Sequence, residues 1–272
     1  MQYCLLDIKP ENSIFVDPEM TDQTSSKLLS AISGKNLPYY GIGIIPFTHE
    51  LTGLEGINLS LPTIFFGSCQ MAAKIVKDYP DIKPGVFWDS TWWDPREWPK
   101  YRTDMLNMSV TELLVKDLRA NWTDEPIFVK SIAEKLLTGQ VLEADKEDHD
   151  RWLIDNSHLD GDDLLISSPV EELEAEWRFF IIDGRIVTGS MYRHYGVKRR
   201  NLPIPEEVWE IARNKLKKDL LPSPEIVMDL ALTKSGEYKI VEFNCINCSG
   251  VYNSDVNKLI TAIENYDRNY YC

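Results

Sequence analysis

Three oxygen-bearing side chains interrupt two apolar stretches near the end of the chain. Asp229 lies in the run 225–232, and Glu242 and Asn244 lie in the run 237–244. Two carboxylates and an amide that are partly buried together repel each other and lose hydration unless a cation joins them. A set of oxygen donors with few protein ligands suits Mg²⁺, which keeps several waters and binds substrate phosphates. The sequence therefore predicts a magnesium site shared with a nucleotide.

The same two runs are predicted to form a β-hairpin. Lys234, Ser235 and Gly236 separate them, as in a turn between alternating apolar strands. Because side chains alternate along a strand, the turn brings Asp229 opposite Glu242 or one diagonal step away. In the alternative interpretation both carboxylates are ordinary edge-strand residues that face water, and the hairpin alone leaves the two interpretations open.

Two lysines follow a predicted strand in the middle of the chain. The strand EPIFVK ends on Lys130, and Lys135 lies in the next loop, before a turn at Thr138 and Gly139. Each ammonium group is a point charge, so such a pair could hold a polyphosphate. The alternative is that both lysines are simply solvated.

Two arginines lie on the clearest hairpin of the sequence. WRFFII and RIVTGSMYR flank Asp183 and Gly184, a strong turn signal between strands. Arg178 and Arg193 lie towards the open ends of the two strands, where neighbouring strands would bring both within reach of one anion. They could clamp a γ-phosphate or a carboxylate, or they could be surface arginines on an edge hairpin.

Composition limits the classes of function. A chain of 272 residues with 43% hydrophobic content can bury a sizeable core. Its 29 Lys and Arg against 43 Asp and Glu give a net charge of −14, which opposes binding to nucleic acid or to an anionic membrane. The N-terminus has no basic segment and no long apolar run, so a cytoplasmic protein is expected. Five scattered cysteines are expected to be free thiols.

The first hundred residues are predicted to begin as an α/β arrangement. Strands are expected at 2–7, 42–46 and 62–66, with a helix before the second. Ser68 is the expected N-cap of a further helix, with Met71, Ile75 and Val76 on one face. The turn before this helix could hold an anion at the helix N-terminus, although plain architecture is the commoner outcome.

A tryptophan-rich stretch follows at 84–101 and holds half of the eight tryptophans. Its Pro and Asp content predicts an irregular connector. It could be a packed seam between domains or a recognition surface for a partner, since Trp is enriched at binding hot spots. A domain boundary is predicted near 105.

The second half of the chain contains further predicted elements. A capping box at 109–112 predicts a helix to about Arg119. The segment LLISSPVEEL is predicted to be a strand that turns at Ser168 and Pro169, and amphipathic helices are predicted at 205–219 and 253–265. In the acidic stretch 143–163, Asp160, Asp162 and Asp163 are expected in solvated turns rather than in a Ca²⁺ loop.

Two local patterns remain open. Lys198, Arg199 and Arg200 form a basic run in a predicted loop, which could reach an acidic substrate or could simply be solvated. Cys245 and Cys248 have the spacing of half a zinc site, but no second pair accompanies them, so they are interpreted as incidental.

The order of these features resembles the C-terminal two-thirds of ATP-grasp proteins, and most closely the arginine-arginine-lysine clade found in bacteria and their phages. The resemblance rests on FVKSIAEKLLTG, EWRFFIIDGRIVTGSMYR and IVEFNCINCSGVY. It implies an α+β fold with two α+β subdomains that grip ATP, preceded by a small α/β N-terminal domain. The predicted domains are 1–105 and 106–272, and the second is divided into a first lobe at 106–165 and a second lobe at 166–272 with the metal site.

The resemblance also implies roles for individual residues. Lys130 and Lys135 would contact ATP phosphates, and Arg178 and Arg193 would stabilise the transferred phosphoryl group. The Mg²⁺ ligands would be Asp229, Glu242 and Asn244. The hinge that holds adenine and ribose would supply Ser168, Val170, Glu171 and Glu172. The loop 131–139 has a single glycine, Gly139, where many ATP-grasp loops are glycine-rich.

The implied activity is ATP- and Mg²⁺-dependent ligation of a carboxylate to an amine. In such ligases a substrate carboxylate attacks the γ-phosphorus, and an amine then captures the acyl phosphate. The expected reaction joins an amino acid or peptide to a peptide or protein acceptor. The alternatives are an ATP-binding assembly chaperone of the same fold and a kinase-like phosphotransferase.

Overall fold

The structure is a computed structural model that describes residues 1–6, 24–45, 50–87, 96–100, 102–132, 136–199, 202–216 and 221–271. Its strands are β1 (Gln2–Leu6), β2 (Tyr39–Ile44), β3 (Leu51–Thr52), β4 (Thr63–Phe66), β5 (Pro84–Gly85), β6 (Thr111–Leu114), β7 (Ile127–Ser131), β8 (Gln140–Leu142), β9 (Leu164–Pro169), β10 (Leu173–Ile182), β11 (Arg185–His194), β12 (Val197–Lys198), β13 (Ile226–Thr233) and β14 (Tyr238–Asn244). Its α-helices are α1 (Thr24–Gly34), α2 (Cys69–Asp78), α3 (Val115–Ala120), α4 (Lys146–Asp155), α5 (Glu206–Lys215) and α6 (Val256–Tyr271).

The chain forms two compact units, each built from separate stretches of sequence. The first unit contains Met1–Ser90, Ala175–Leu230 and Phe243–Cys272. The second contains Thr91–Glu174 and Ala231–Glu242. The domain boundary at 105 and the two lobes stay predictions.

The N-terminal part of the first unit is the predicted α/β arrangement. Its sheet has the order β3-β2-β1-β4-β5, and β1 pairs in parallel with both β2 and β4. Tyr3 and Phe65 are fully buried in these strands, as expected for central parallel strands. The predicted helix before the second strand is α1.

The helix α2 begins as predicted but presents a slightly different face to the core. Ser68 is its N-cap, and the Ser68 hydroxyl accepts a hydrogen bond from the Met71 backbone N–H. Met71 and Ile75 are buried, whereas Val76 is 44% exposed, so Val76 does not share the buried face of α2 with the other two residues. Successive helical residues point about 100° apart, and Ala72 fills the inward position instead.

A second sheet carries both predicted hairpins and has the order β12-β11-β10-β13-β14. The turn between β10 and β11 has positive φ at Asp183 and Gly184, as a tight type I′ hairpin requires. The basic run was predicted as a loop, but Lys198 lies in β12, which pairs with β11. The local reason is a second tight turn, with positive φ at Tyr195 and Gly196.

The core of the first unit includes one face of the last helix. Val256, Leu259, Ile260 and Ile263 of α6 are buried, as predicted, and they pack with Tyr3 and other residues of the core. The helix begins at Val256 and extends to Tyr271, later at both ends than predicted. Of the four residues predicted to face inward in α5, Val208 and Ala212 are buried, whereas Ile211 and Leu216 are only partly buried. The helix ends at Lys215 rather than at 219.

The second unit contains an antiparallel sheet of order β6-β9-β7-β8. The predicted helix from residue 109 was wrong at its start, because Thr111–Leu114 is the strand β6 and α3 begins only at Val115. The reason is tertiary: β6 pairs along its whole length with β9. Glu112 forms an ion pair with Arg96 instead of closing a capping box.

The acidic stretch contains a helix that was not predicted. Asp145 caps α4 by accepting a hydrogen bond from the Asp148 backbone N–H at 2.8 Å. Trp152 is the buried residue of α4 and joins the core of the second unit. The turns predicted farther along are confirmed, since the Asp160 backbone N–H donates to Asp163 Oδ2 at 2.7 Å.

Within the second unit, an extended segment lies beside β14. The Leu106 N–H donates to the Ile240 carbonyl at 2.7 Å, and the Ile240 N–H donates to the Asp104 carbonyl at 2.9 Å. A short 3₁₀ helix, Trp98–Lys100, precedes this segment and buries Trp98. Trp88, Trp92 and Trp93 of the predicted connector lie outside the described residues.

The described helices include none with the length and apolarity that a bilayer crossing needs. The four described cysteines are free, as expected, and Cys272 lies outside the described residues. Cys248 contacts Cys69 as well as Cys245, and hydrogen bonding with these two thiols raises its pKa.

Candidate active site

The first unit contains a buried ion pair between two of the predicted site residues. Arg178 Nε lies 2.8 Å from Asp229 Oδ1, and Arg178 Nη2 lies 2.7 Å from Asp229 Oδ2. The residues are only 8% and 1% exposed, respectively. The interpretation of Asp229 as a water-facing edge residue was therefore wrong. Burial alone lowers the pKa of Arg178, but Asp229 outweighs it and holds that pKa above its ordinary value.

The position of Asp229 follows from the sheet order. Its strand β13 lies between β10 and β14 rather than at an edge, and nearly all residues of β13 are buried on both faces. An isolated carboxylate in such a strand is costly unless a charged partner compensates it. Arg178, on the neighbouring strand β10, is that partner.

Two tyrosines surround the Arg178 guanidinium. Its Cζ atom lies 5.6 Å from the ring centre of Tyr192 and 4.9 Å from that of Tyr252, distances suited to cation–π attraction. The two rings stack with centres 5.1 Å apart. Burial, followed by the charges of Asp229 and Glu176, raises the pKa of Tyr192 well above its ordinary value.

Arg193 is bound to a different carboxylate. Arg193 Nη1 lies 3.1 Å from Glu176 Oε1, and the Tyr192 hydroxyl donates to Glu176 Oε2 at 2.8 Å. Glu176 is 4% exposed, whereas the Arg193 side chain is 45% exposed. The two arginines thus contact separate carboxylates, and of the two arginines only Arg193 is accessible.

The hairpin register explains this arrangement. Arg178 pairs across β10 and β11 with Ser190, and Glu176 pairs with Arg193. Residues directly opposite each other in an antiparallel pair have neighbouring side chains, so the Glu176–Arg193 contact follows from the pairing of β10 with β11, which includes two register shifts between the turn and this contact. A register shift between Glu176 and Trp177 changes the local pairing next to this contact.

In the second unit, a predicted phosphate ligand contacts a predicted metal ligand. Lys130 Nζ lies 2.5 Å from Glu242 Oε2, and the two side chains are 26% and 25% exposed. The Lys130 ammonium also lies 5.9 Å from the ring centre of Trp98. The contact couples β7 with β14, two strands that are far apart in sequence. Glu242 is therefore half-buried and paired rather than a freely solvated edge residue.

Asn244 lies two residues after Glu242 on β14, and both side chains are half-buried. Side chains two apart on a strand lie on the same face, so the two oxygen donors share one face of β14. Asp229 belongs to the adjacent strand β13. Among the described residues no three His, Cys, Asp or Glu side chains form a group that could hold a metal; the predicted set has two carboxylates and an amide.

The predicted adenine and ribose hinge is the connection between β9 and β10. Ser168 is buried, and its hydroxyl donates to Asn107 Oδ1 at 3.1 Å. Glu171 Oε1 lies 2.7 Å from Lys239 Nζ, and Glu172 forms an ion pair with Lys234. Val170, which precedes these two glutamates, is half-buried. Lys135, the second predicted phosphate ligand, lies outside the described residues.

Three contacting residues were missed from the sequence. The turn alone does not place Glu176 opposite Arg193, because the Ile182–Arg185 pairing would put Glu176 opposite Met191, and two register shifts bring it to Arg193. Tyr192 directly precedes Arg193 on β11, so strict alternation would place its side chain on the other face of the sheet. No local sequence pattern predicts the contact of Tyr252 with Arg178, because Tyr252 lies in a loop far along the chain, beyond β14.

The α+β architecture described above is that of the ATP-grasp fold. Residues 108–262 match the ATP-grasp domain model that describes family 2 of the arginine-arginine-lysine clade. The match covers more than half of the chain, and the chain belongs to this family. This result confirms the resemblance found in the sequence. No curated protein sequence matches the chain.

Solved structures agree on the fold. A D-alanine–D-alanine ligase from Bacillus anthracis in complex with ATP has a TM-score of 0.63 at 14% identity, covering 99% of this chain and 98% of that one. A RimK domain ATP-grasp protein from Sphaerobacter thermophilus has a TM-score of 0.56 at 11% identity, covering 97% and 100%. The macrocyclase MdnC from Microcystis aeruginosa, bound with the precursor peptide MdnA, has a TM-score of 0.55 at 10% identity, covering 97% and 99%.

Proposed function

We propose that the protein is an ATP- and Mg²⁺-dependent carboxylate–amine ligase that acts through an acyl phosphate. The observation that carries the proposal is the 2.5 Å contact between Lys130 Nζ and Glu242 Oε2. It joins a cation suited to phosphate with a carboxylate suited to the metal that accompanies a triphosphate. Membership in the ATP-grasp family supports the same assignment.

In this proposal, the nucleotide is held by residues of the second unit. Lys130 contacts the phosphates, and this contact replaces part of its interaction with Glu242. Lys135 provides a second ammonium group. Ser168 and Val170 lie against adenine, and Glu171 or Glu172 accepts a hydrogen bond from the ribose.

The proposed metal ligands are Asp229, Glu242 and Asn244. The donor set fits Mg²⁺, because it consists only of oxygens and leaves positions for water and phosphate. Asp229 already accepts two hydrogen bonds from Arg178, yet each carboxylate oxygen has a second lone pair for a cation. When bound, Mg²⁺ would neutralise phosphate charge.

The two arginines are the proposed catalytic residues. A substrate carboxylate oxygen forms a bond to the γ-phosphorus while the bond to the ADP oxygen breaks, which yields an acyl phosphate and ADP. Arg178 is fixed by Asp229 and the tyrosines, so it offers a preorganised positive charge to the transferred group. Arg193 is accessible and can bind an anion. An amine then attacks the acyl carbon, loses a proton and releases phosphate, leaving an amide.

The proposed substrates are an amino acid or small amine and a peptide or protein. Two similar structures support this class, since one is a D-alanine–D-alanine ligase with ATP and another is a macrocyclase with its precursor peptide. Identities of 14% and 10% leave the particular substrates of this chain as proposals.

The proposed ligase activity is tested by measuring the products of the reaction. The protein is incubated with ATP, Mg²⁺, pooled amino acids and a peptide extract, and ADP, phosphate and new amides are measured. The expected result is equal release of ADP and phosphate together with a new amide found by mass spectrometry. Tight ATP binding without turnover, together with recovery of one stable protein partner, would instead identify an assembly chaperone. Transfer of phosphate to a hydroxyl group would identify a phosphotransferase.

A further inference from the structure

The hairpin formed by β11 and β12 has a charge opposite to that of the whole protein. The stretch 185–205 contains five Lys or Arg residues and no Asp or Glu, in a chain whose net charge is −14. In the described part of this stretch, all residues from 195 to 199 are exposed. A local cationic surface on an acidic protein attracts anions and steers them to one place.

Two cations of this hairpin, Lys198 and Arg199, differ from Arg193, which is bound to Glu176. Neither Lys198 nor Arg199 makes an ion pair within the described part of the chain, whereas Lys116, Lys234 and Lys239 each contact a carboxylate. An exposed cation that makes no ion pair can attract an anionic ligand with its full charge. The difference sets this hairpin apart from those other basic positions.

The same hairpin exposes apolar side chains. Tyr195 is 64% exposed, Val197 is 55% exposed, and Leu202, shortly after the hairpin, is 43% exposed. Together they make up three of the nine large hydrophobic residues that are exposed among the described residues. Apolar groups that cluster on a surface and are rimmed by charge are typical of protein-docking sites.

Backbone strain strengthens this interpretation. Tyr195 has φ of 46°, and a tight hairpin turn favours Asn, Asp or Gly at this position. An aromatic residue there is strained, yet its ring is mostly exposed and packs against the ring of the adjacent His194. The strain is not offset by burial in the core, so Tyr195 is suited to contacting a partner.

The hairpin is continuous with the candidate active site. Lys198 pairs in register with Arg193, and Arg193 pairs in turn with Glu176. Directly paired residues lie on the same face of a sheet, so Lys198 extends a row of charge that begins at the accessible catalytic arginine. An anionic segment bound by Lys198 would therefore reach Arg193.

We propose that residues 193–199 dock an acidic peptide segment whose side-chain carboxylates are the substrate to be phosphorylated. A peptide matches both the cations and the exposed apolar side chains, whereas the overall charge of −14 repels a long polyanion such as nucleic acid. Binding of the peptide does not depend on the proposed ligase function. Only the expectation that the bound carboxylate is phosphorylated rests on that function.

Binding is tested without ATP by fluorescence anisotropy. The probe is a fluorescein-labelled peptide of alternating glutamate and valine, compared with its glutamine counterpart and with a single-stranded oligonucleotide of equal charge. Wild-type protein should bind the glutamate peptide most tightly, and K198E/R199E should weaken binding by at least ~10-fold, given two lost charge contacts. The control R213E/K258E makes the same change of charge elsewhere and should leave binding within about twofold.

Three results would overturn the docking surface: equal affinity of K198E/R199E, equal affinity for the glutamine peptide, or preference for the oligonucleotide. If K198E/R199E fails to fold by circular dichroism, the neutral variant K198Q/R199Q replaces it and should show a smaller loss in the same direction. Unchanged affinity of that variant also counts against the proposal.

Turnover separates this proposal from the proposed function. With ATP, Mg²⁺ and amines present, the neutral variant K198Q/R199Q should raise KM for the glutamate peptide at nearly unchanged kcat, because it removes two docking charges without placing a carboxylate beside Arg193. Peptide binding without any turnover supports the docking surface and contradicts the ligase. Turnover of peptide with the same KM in wild type and variant supports the ligase and contradicts the docking surface.

Discussion

Arg178 and Asp229 form a buried pair with two hydrogen bonds of 2.8 and 2.7 Å between the guanidinium and the carboxylate. The pair lies on adjacent strands, and both members are almost completely excluded from water. Each residue therefore has a structural role beside its proposed catalytic or metal-binding role. The two roles have to be separated by experiment.

Asp229→Asn should destabilise the protein strongly. The change keeps the shape of the side chain but leaves the buried Arg178 charge uncompensated, which costs about 3–5 kcal/mol. Urea unfolding followed by circular dichroism measures the loss. A loss of less than about 1 kcal/mol in the free energy of unfolding would show that the pair contributes little to folding.

The double variant R178M/D229L is the matched control for that change. It removes both charges, so it should recover most of the stability that Asp229→Asn loses. It should nevertheless show no ligase turnover, because it lacks both the proposed catalytic arginine and one of the proposed metal ligands. Turnover near the wild-type level in the folded double variant would exclude Arg178 from the chemistry.

Glu242→Gln should abolish metal-dependent nucleotide binding and leave the fold intact. The amide lacks the charge that a hard divalent cation prefers, and Glu242 is only half-buried, so no fully buried charge is orphaned. Isothermal titration with ATP in Mg²⁺ and in EDTA measures the effect. Glu237→Gln, on the exposed turn of the same hairpin, should behave like wild type; unchanged Mg²⁺-dependent affinity in Glu242→Gln would contradict the site.

Lys130→Met should weaken ATP binding by roughly 10- to 100-fold, as expected for loss of one charge-assisted contact. The methionine retains most of the side-chain volume beside Trp98. Lys116→Met is the control, because Lys116 is an exposed lysine that pairs with Asp162 on the surface. Equal ATP affinity in both variants would remove Lys130 from the phosphate site.

Asn247→Ala should cost about 2–4 kcal/mol of stability, because the buried Asn247 side chain makes hydrogen bonds to two backbone groups, the Phe65 carbonyl and the partly buried Phe87 N–H, and both bonds are lost. The Asn247 side chain accepts a hydrogen bond from the Phe87 N–H at 2.6 Å and donates to the Phe65 carbonyl. Thermal and urea unfolding test this expectation. Asn257→Ala, at an exposed helical position, should change stability by less than about 0.5 kcal/mol.

Local signals predicted the elements whose pairing is also local. The Asp183–Gly184 turn predicted the hairpin of β10 and β11, although two register shifts change the pairing farther from the turn. The residues after Thr233 likewise predicted the hairpin of β13 and β14. The alternation of apolar residues then placed Asp229 among buried neighbours. These signals succeed because the two partners of each hairpin are separated by only a few residues.

Pairing between segments that are far apart in the chain could not be predicted from the sequence. The capping box at Ser109 favoured a helix, but pairing of Thr111–Leu114 with β9 decided the structure. The contact of Arg178 with Tyr252 and the contacts of Asn247 with Phe65 and Phe87 likewise depend on chain segments brought together only by folding. Local propensity gives no information about such partners.

The most direct test of the proposed metal site is to locate a cation in a complex with nucleotide. Crystals are grown with Mn²⁺ and a non-hydrolysable ATP analogue, and the anomalous signal locates the cation. We expect one or two peaks coordinated by oxygens of Asp229, Glu242 and Asn244 and by phosphate oxygens, with Lys130 on the same phosphates. A bound nucleotide whose metal touches none of these three side chains would contradict the proposed site and the ligase mechanism built on it.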